Sequence, residues 1–188
     1  PSLILFILFA TFLPGYIAAR KNVLLLFSLI FGTWLLFIYT DFLVGGDPLF
    51  DEWKFLEYRV LGAGLSYMLL GYHFSSTDQR PLSGLLYGLG VFGFLRSALI
   101  LGGSEPSQNV FWELIYPGLV FGAIFLSIYL NSMTFLVTGS IFLALYIIKI
   151  TAEYFVDKTG WPIALVLAGF LLMGVAYLAI NLKRNYLA

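Results

Sequence analysis

Seven apolar stretches fill almost all of this chain, at 2–19, 22–44, 54–74, 82–102, 110–130, 133–156 and 161–182. A hydrocarbon core about 30 Å thick calls for about 20 apolar residues per helix, which is the length repeated here. The links between them are short and carry breakers or polar residues, such as Gly45-Gly46-Asp47-Pro48, Ser75-Ser76-Thr77-Asp78 and Gly102-Gly103-Ser104-Glu105-Pro106. None could hold a separate folded unit, so residues 1–188 read as one transmembrane domain. Lipid leaves every backbone polar group to find an internal partner, which allows only helices or a closed barrel. A barrel strand alternates apolar and polar residues, whereas residues 24–37 are apolar on every face. The predicted fold is an all-α polytopic transmembrane helical bundle of seven spans.

Composition narrows the function. The chain is 61% hydrophobic and 11% charged, against about a quarter charged in soluble domains. Net charge is zero, so no basic footprint for nucleic acid exists. Cysteine is absent and His73 is the single histidine, so no metal site, haem or other cofactor is expected. The chain opens at Pro1-Ser2 and is apolar at once, which reads as a sequence incomplete at its N-terminus. A secretory signal does not fit, because no basic segment precedes the apolar run.

Alternating the spans sorts the charges. Arg20, Lys21, Arg80, Lys183 and Arg184 fall on one face with Asp78 as its one acid. The other nine acids fall toward the opposite face: Asp41, Asp47, Asp51, Glu52, Glu57, Glu105, Glu113, Glu153 and Asp157. Lys and Arg in short loops mark the cytoplasmic side, so the C-terminus is expected inside and the acidic loops outside. Trp53, Trp112 and Trp161 lie near the starts of spans entering from the acidic face, where interfacial indoles belong.

Spans two to seven also read as three successive two-helix hairpins plus the extra first helix. Glu57-Tyr58-Arg59-Val60-Leu61-Gly62 aligns with Glu113-Leu114-Ile115-Tyr116-Pro117-Gly118, and Asp41-Phe42 parallels Glu153-Tyr154. Internal duplication of this kind is common in transporters. The stretch Glu153-Tyr154-Phe155-Val156-Asp157-Lys158-Thr159-Gly160-Trp161-Pro162, then Ala168-Gly169-Phe170-Leu171-Leu172-Met173-Gly174 and Leu182-Lys183-Arg184, resembles the end of a family of hairpin-repeat multi-pass bacterial membrane proteins of uncharacterised function. Some members of that family carry a Gly-Asp-Tyr-Thr motif, which is absent here. The resemblance implies a bacterial inner-membrane protein and transfers no active-site residue.

A cation placed against lipid costs about 2.5–3.5 kcal/mol on insertion scales. Arg96 and Lys149 lie inside spans, so they are expected to face protein or water, with Asp41, Glu57, Glu113 and Glu153 as partners at similar depth. Lys149 and Glu153 share one helix face. Two readings stay open: a structural ion-pair network, or an outward-opening pocket in which Arg59, Arg96 and Lys149 attract an anionic group and the carboxylates tune it. Pro117 is expected to bend span five. Gly84, Gly88, Gly118 and Gly122 offer small faces for helix packing.

No nucleophile elbow, zinc-protease helix or phosphate loop is present, so no catalytic residue is assigned and the protein is read as non-enzymatic. The leading expectation is binding or transport of a small anionic solute or lipid headgroup. The competing one is an accessory or scaffold subunit. Partners are membrane lipids, with other membrane subunits or self-association under the second reading.

Overall fold

The computed structural model of the protein describes residues 2–19, 21–44, 52–77, 79–103 and 109–155, and parts of 169–184. It is all-helical, with no strand among the described residues. The helices are α1 (Ser2–Ala19), α2 (Asn22–Val44), α3 (Glu52–Ser75), α4 (Arg80–Leu101), α5 (Val110–Tyr129) and α6 (Met133–Phe155). A shorter apolar helix, α7, spans Gly169–Leu182. The first part of the expected seventh span, with Trp161 and Pro162, lies outside the described residues.

Helix ends follow local chemistry. α4 starts at Arg80 rather than after Pro81, and the proline occupies the first turn. That position suits proline, because a first-turn N–H has no intrahelical partner. α2, α4, α5 and the Met133–Glu153 part of α6 are long and apolar enough to cross a membrane. α3 is as long but carries Lys54, Glu57 and Arg59 in its first half. Large apolar side chains cover the outside of the bundle, among them Phe27, Trp34, Phe92, Leu114 and Phe125. Helices apolar all round suit burial or lipid, not water, and this surface is compatible with a membrane protein.

The bundle is antiparallel and built around α4. Of α4's apolar window, 44% is buried inside the protein, against 11% for α2. α4 packs most closely on α3 and also on α5 and α6. Its face of Tyr87, Val91, Leu95 and Ala98 meets Tyr116 and Val120 of α5 and Phe135 and Leu136 of α6. A smaller cluster of Leu25, Leu82 and Leu86 ties α2 to the start of α4. Gln79 donates to the Tyr16 hydroxyl at 2.8 Å, which brings Lys21 and Arg80 to one end of the bundle. The Arg59–Asp41, Arg96–Glu57 and Lys149–Glu153 pairs gather at the other end.

The tightest neighbours are α1 with α2, α3 with α4, and α5 with α6. The two-helix repeats read from the sequence, span two with three and span four with five, are not confirmed here, since α3 packs most tightly on α4. The reason is visible at the α3–α4 crossing. A Cβ at Gly64 would stand 2.7 Å from the backbone N of Phe94, and one at Gly90 would stand 2.8 Å from the Gly64 carbonyl. Backbones in such contact tolerate only glycine. Gly71, against the ring of Tyr87, extends the same α3–α4 seam, and Gly139, against Ile124, lies on the α5–α6 seam.

The glycines expected to pack inside the chain mostly do not. A Cβ on Gly84, Gly118 or Gly122 would meet nothing within 4 Å, and one on Gly88 would reach Thr134 at 3.4 Å. Small residues let helices approach only where they face a neighbour, and these point outward. Gly64→Ala or Gly90→Ala is therefore expected to destabilise the protein by about 1–3 kcal/mol. Gly118→Ala should stay within about 0.5 kcal/mol of the parent. Denaturant titration in detergent micelles reads both, and equal sensitivity at Gly64 and Gly118 would contradict the packing.

Candidate functional site

At the charged end two side-chain ion pairs bridge helix seams and a third lies within α6. Arg59 of α3 reaches across to α2, where Phe37, Thr40 and Asp41 lie on one helix face. Its guanidinium pairs with Asp41, donates to the Phe37 carbonyl at 2.8 Å and to Thr40 Oγ1 at 2.9 Å. The rings of Phe55 and Phe37 lie 4.6 Å and 5.3 Å from its central carbon, within cation–π range. Lower on the same seam, the Tyr67 and Thr33 hydroxyls are 2.6 Å apart. Arg59 is thus a clamp between α2 and α3.

The second pair, Arg96 with Glu57, bridges α4 and α3. Arg96 Nη1 stands 3.4 Å from both carboxylate oxygens. Charge-assisted bonds run about 2.7–2.9 Å, so this contact is loose. Glu57 is only 3% exposed, while the Arg96 side chain is 47% exposed. The third pair lies within α6, where Lys149 Nζ sits 2.9 Å and 3.1 Å from the two Glu153 oxygens. Gly102, just past the end of α4, makes room for it. A Cβ there would be 3.6 Å from Lys149 Nζ and 3.9 Å from Glu113 Cγ.

Between the last two pairs opens a cavity of about 640 Å³, within the usual range of ligand pockets. Trp53, Lys54 and Glu57 of α3 form one wall, Leu99 and Ile100 of α4 another, and Leu145, Ile148 and Lys149 of α6 the third. Of the residues nominated from the sequence, Glu57 and Lys149 line it. Arg96 and Glu153 stand behind as their partners, and Glu113 lies beside Lys149 across Gly102. Arg59 and Asp41 are brought together elsewhere, on the α2–α3 seam. Trp53 and Lys54 were not nominated as binding residues. Their spacing to Glu57 on one turn of α3 was the available signal. Trp112, expected as an interfacial anchor, donates to the Tyr58 hydroxyl at 3.3 Å.

Pro117 lies inside α5 and cannot donate to the carbonyl four residues back, that of Glu113. Tyr146 of α6 supplies the missing donor, with its hydroxyl 2.9 Å from that oxygen. Its ring lies 5.0 Å from that of Tyr116. The proline defect is thus filled by the neighbouring helix.

Among the described residues no cluster of three or more His, Asp or Glu could hold a metal ion. No family model, curated protein or solved structure matches this chain. Tyr146→Phe is expected to cost about 1 kcal/mol in the parent. The cost should shrink in a Pro117→Ala background, where α5 can satisfy its own carbonyl. A double-mutant cycle by thermal unfolding reads this coupling, and additive effects would remove the assigned role of Tyr146.

Proposed function

We propose that this chain is an integral membrane protein of seven spans, resident in a bacterial inner membrane, with its C-terminus in the cytoplasm. In this reading the cavity at the charged end binds the anionic group of a small solute or lipid headgroup, for storage, presentation or transport rather than catalysis. The observation that carries it is the pairing of a cavity of about 640 Å³ with Lys54 and Lys149 in its walls. A membrane-embedded helix keeps such cations only where protein, water or a ligand receives them. The Lys149–Glu153 pair orients the ammonium without using all of its donors, since an ammonium has three.

Orientation is supported by Lys21 and Arg80 sharing the end opposite the acids, where short-loop cations mark the cytoplasm. The C-terminal resemblance supports the bacterial assignment. A second reading, an accessory subunit, is favoured by one feature: Gly118 and Gly122 face outward on α5, beside exposed Phe121 and Phe125. Self-association or a partner subunit would use that face, and Gly118→Ile would then release it from a co-purifying complex.

The binding reading is tested by thermal stability of the purified chain with and without phosphate-bearing amphiphiles. Lys149→Met, which strands the buried Glu153 carboxylate and lowers the ligand-free midpoint, is expected to abolish the ligand-dependent rise measured against that variant's own midpoint. An undiminished rise would exclude this cavity. Orientation is read separately, because the chain has no cysteine. Asp47→Cys, outside the described residues, should react with an impermeant maleimide on intact cells, and Arg80→Cys only after lysis. The opposite pattern would invert the topology.

A further inference from the structure

Glu57 is the anomaly of this cavity. Its carboxylate is 3% exposed, yet it lines the cavity. Its partner among the described residues is a single Arg96 nitrogen, 3.4 Å from each oxygen. An ionised carboxylate accepts at about four lone-pair sites and donates at none. A buried one held this loosely keeps acceptor capacity directed at whatever fills the space beside it.

Lys149 faces the same cavity from α6 and is anchored at 2.9 Å to Glu153. The cavity therefore presents the Glu57 acceptor beside Lys54 on its α3 wall and the Lys149 ammonium on its α6 wall. A purely anionic ligand meets the lysines but opposes Glu57, and a purely cationic one meets Glu57 but opposes both lysines. A ligand carrying both, an ammonium a few bonds from a phosphate, satisfies each.

The apolar part of the lining says where such a ligand comes from. Ile100, Leu145 and Ile148 line the cavity and are also exposed, at 44%, 43% and 54%. The cavity thus opens sideways between α4 and α6 onto the apolar flank of the bundle. A free phosphoamine shares the headgroup chemistry but has nothing to place on that flank. Acyl chains do.

We propose that the cavity holds the headgroup of a phospholipid bearing a primary ammonium, entering between α4 and α6, with the ammonium on Glu57 and the phosphate on Lys149. This rests on the anion-binding reading above and adds the ligand class and the residue that selects it.

The test is native mass spectrometry of the full chain in neutral detergent with matched-chain phosphatidylethanolamine, phosphatidylglycerol and phosphatidylcholine, and with free phosphoethanolamine as competitor. Phosphatidylethanolamine is expected to bind about tenfold more tightly than the other two, and the free headgroup should not displace it. Glu57→Gln, which keeps the side chain's volume, should erase the preference without lowering phosphatidylglycerol binding. Lys149→Met should weaken every lipid.

Equal binding of the three lipids by the parent chain, a comparison needing no variant, would overturn the proposal while leaving anion binding intact. A preference that survives Glu57→Gln would overturn it too. Displacement by free phosphoethanolamine would reassign the site to a soluble zwitterion. No binding of any lipid or headgroup would overturn both readings.

Discussion

The contact on which the rest of this bundle depends is the backbone touch between Gly64 and Gly90. It sets the register of α3 on α4, because no side chain lies between the two helices there. Glu57 precedes Gly64 by seven residues and Arg96 follows Gly90 by six. At about 1.5 Å per residue each stands roughly 10 Å from the crossing, on the same side. Glu57 and Arg96 meet for that reason. A slip of one turn would leave a buried carboxylate facing apolar residues such as Phe92 or Ile100.

Beyond the crossing, the ion pairs divide by how fully they are satisfied. Arg59 Nη1 meets Asp41, Thr40 and a backbone carbonyl, two phenylalanine rings receive the guanidinium face, and Nε is buried without a hydrogen-bond acceptor. Its contacts hold α2 against α3. Lys149 is held by one carboxylate at short range and still borders open space. Glu57 is the most buried and the most loosely held, with both oxygens 3.4 Å from Arg96. A short pair on a helix seam reads as structural, and a loosely held buried carboxylate beside a cavity as a candidate binding group. The sequence could place all of these charges at one end without separating the two kinds.

Much of the architecture was legible in the chain. The apolar runs announce the helices, and the breakers mark their ends to within a few residues. The i, i+4 relation of Lys149 and Glu153 is readable because it is local. Which face of each helix turns inward was not readable. A helix apolar all round has no polar stripe to point outward, so periodicity carries no information about packing. Gly84, Gly118 and Gly122 look as suitable as Gly64, Gly71 and Gly90, and coordinates alone separate them. The helix pairing escaped for the same reason. The cavity's apolar wall escaped too, since Ile100, Leu145 and Ile148 are ordinary surface residues for such a helix.

Pro117 shows how the site is kept free of backbone chemistry. Interrupted helices in transporters present bare carbonyls to their substrates, and a proline eight residues from the α5 boundary Asn109, itself a cavity residue, invites the same arrangement. Here Tyr146 occupies the Glu113 carbonyl, one turn before Lys149 on the same face of α6. The helix that supplies the cavity's ammonium also closes the neighbouring defect. Lys54, Glu57 and Lys149 are then presented to the cavity from continuous helices, with Gly103 and Asn109 at its loop edge. Under the proposed binding reading, a ligand there would be selected by where its charges sit and not by backbone rearrangement around it.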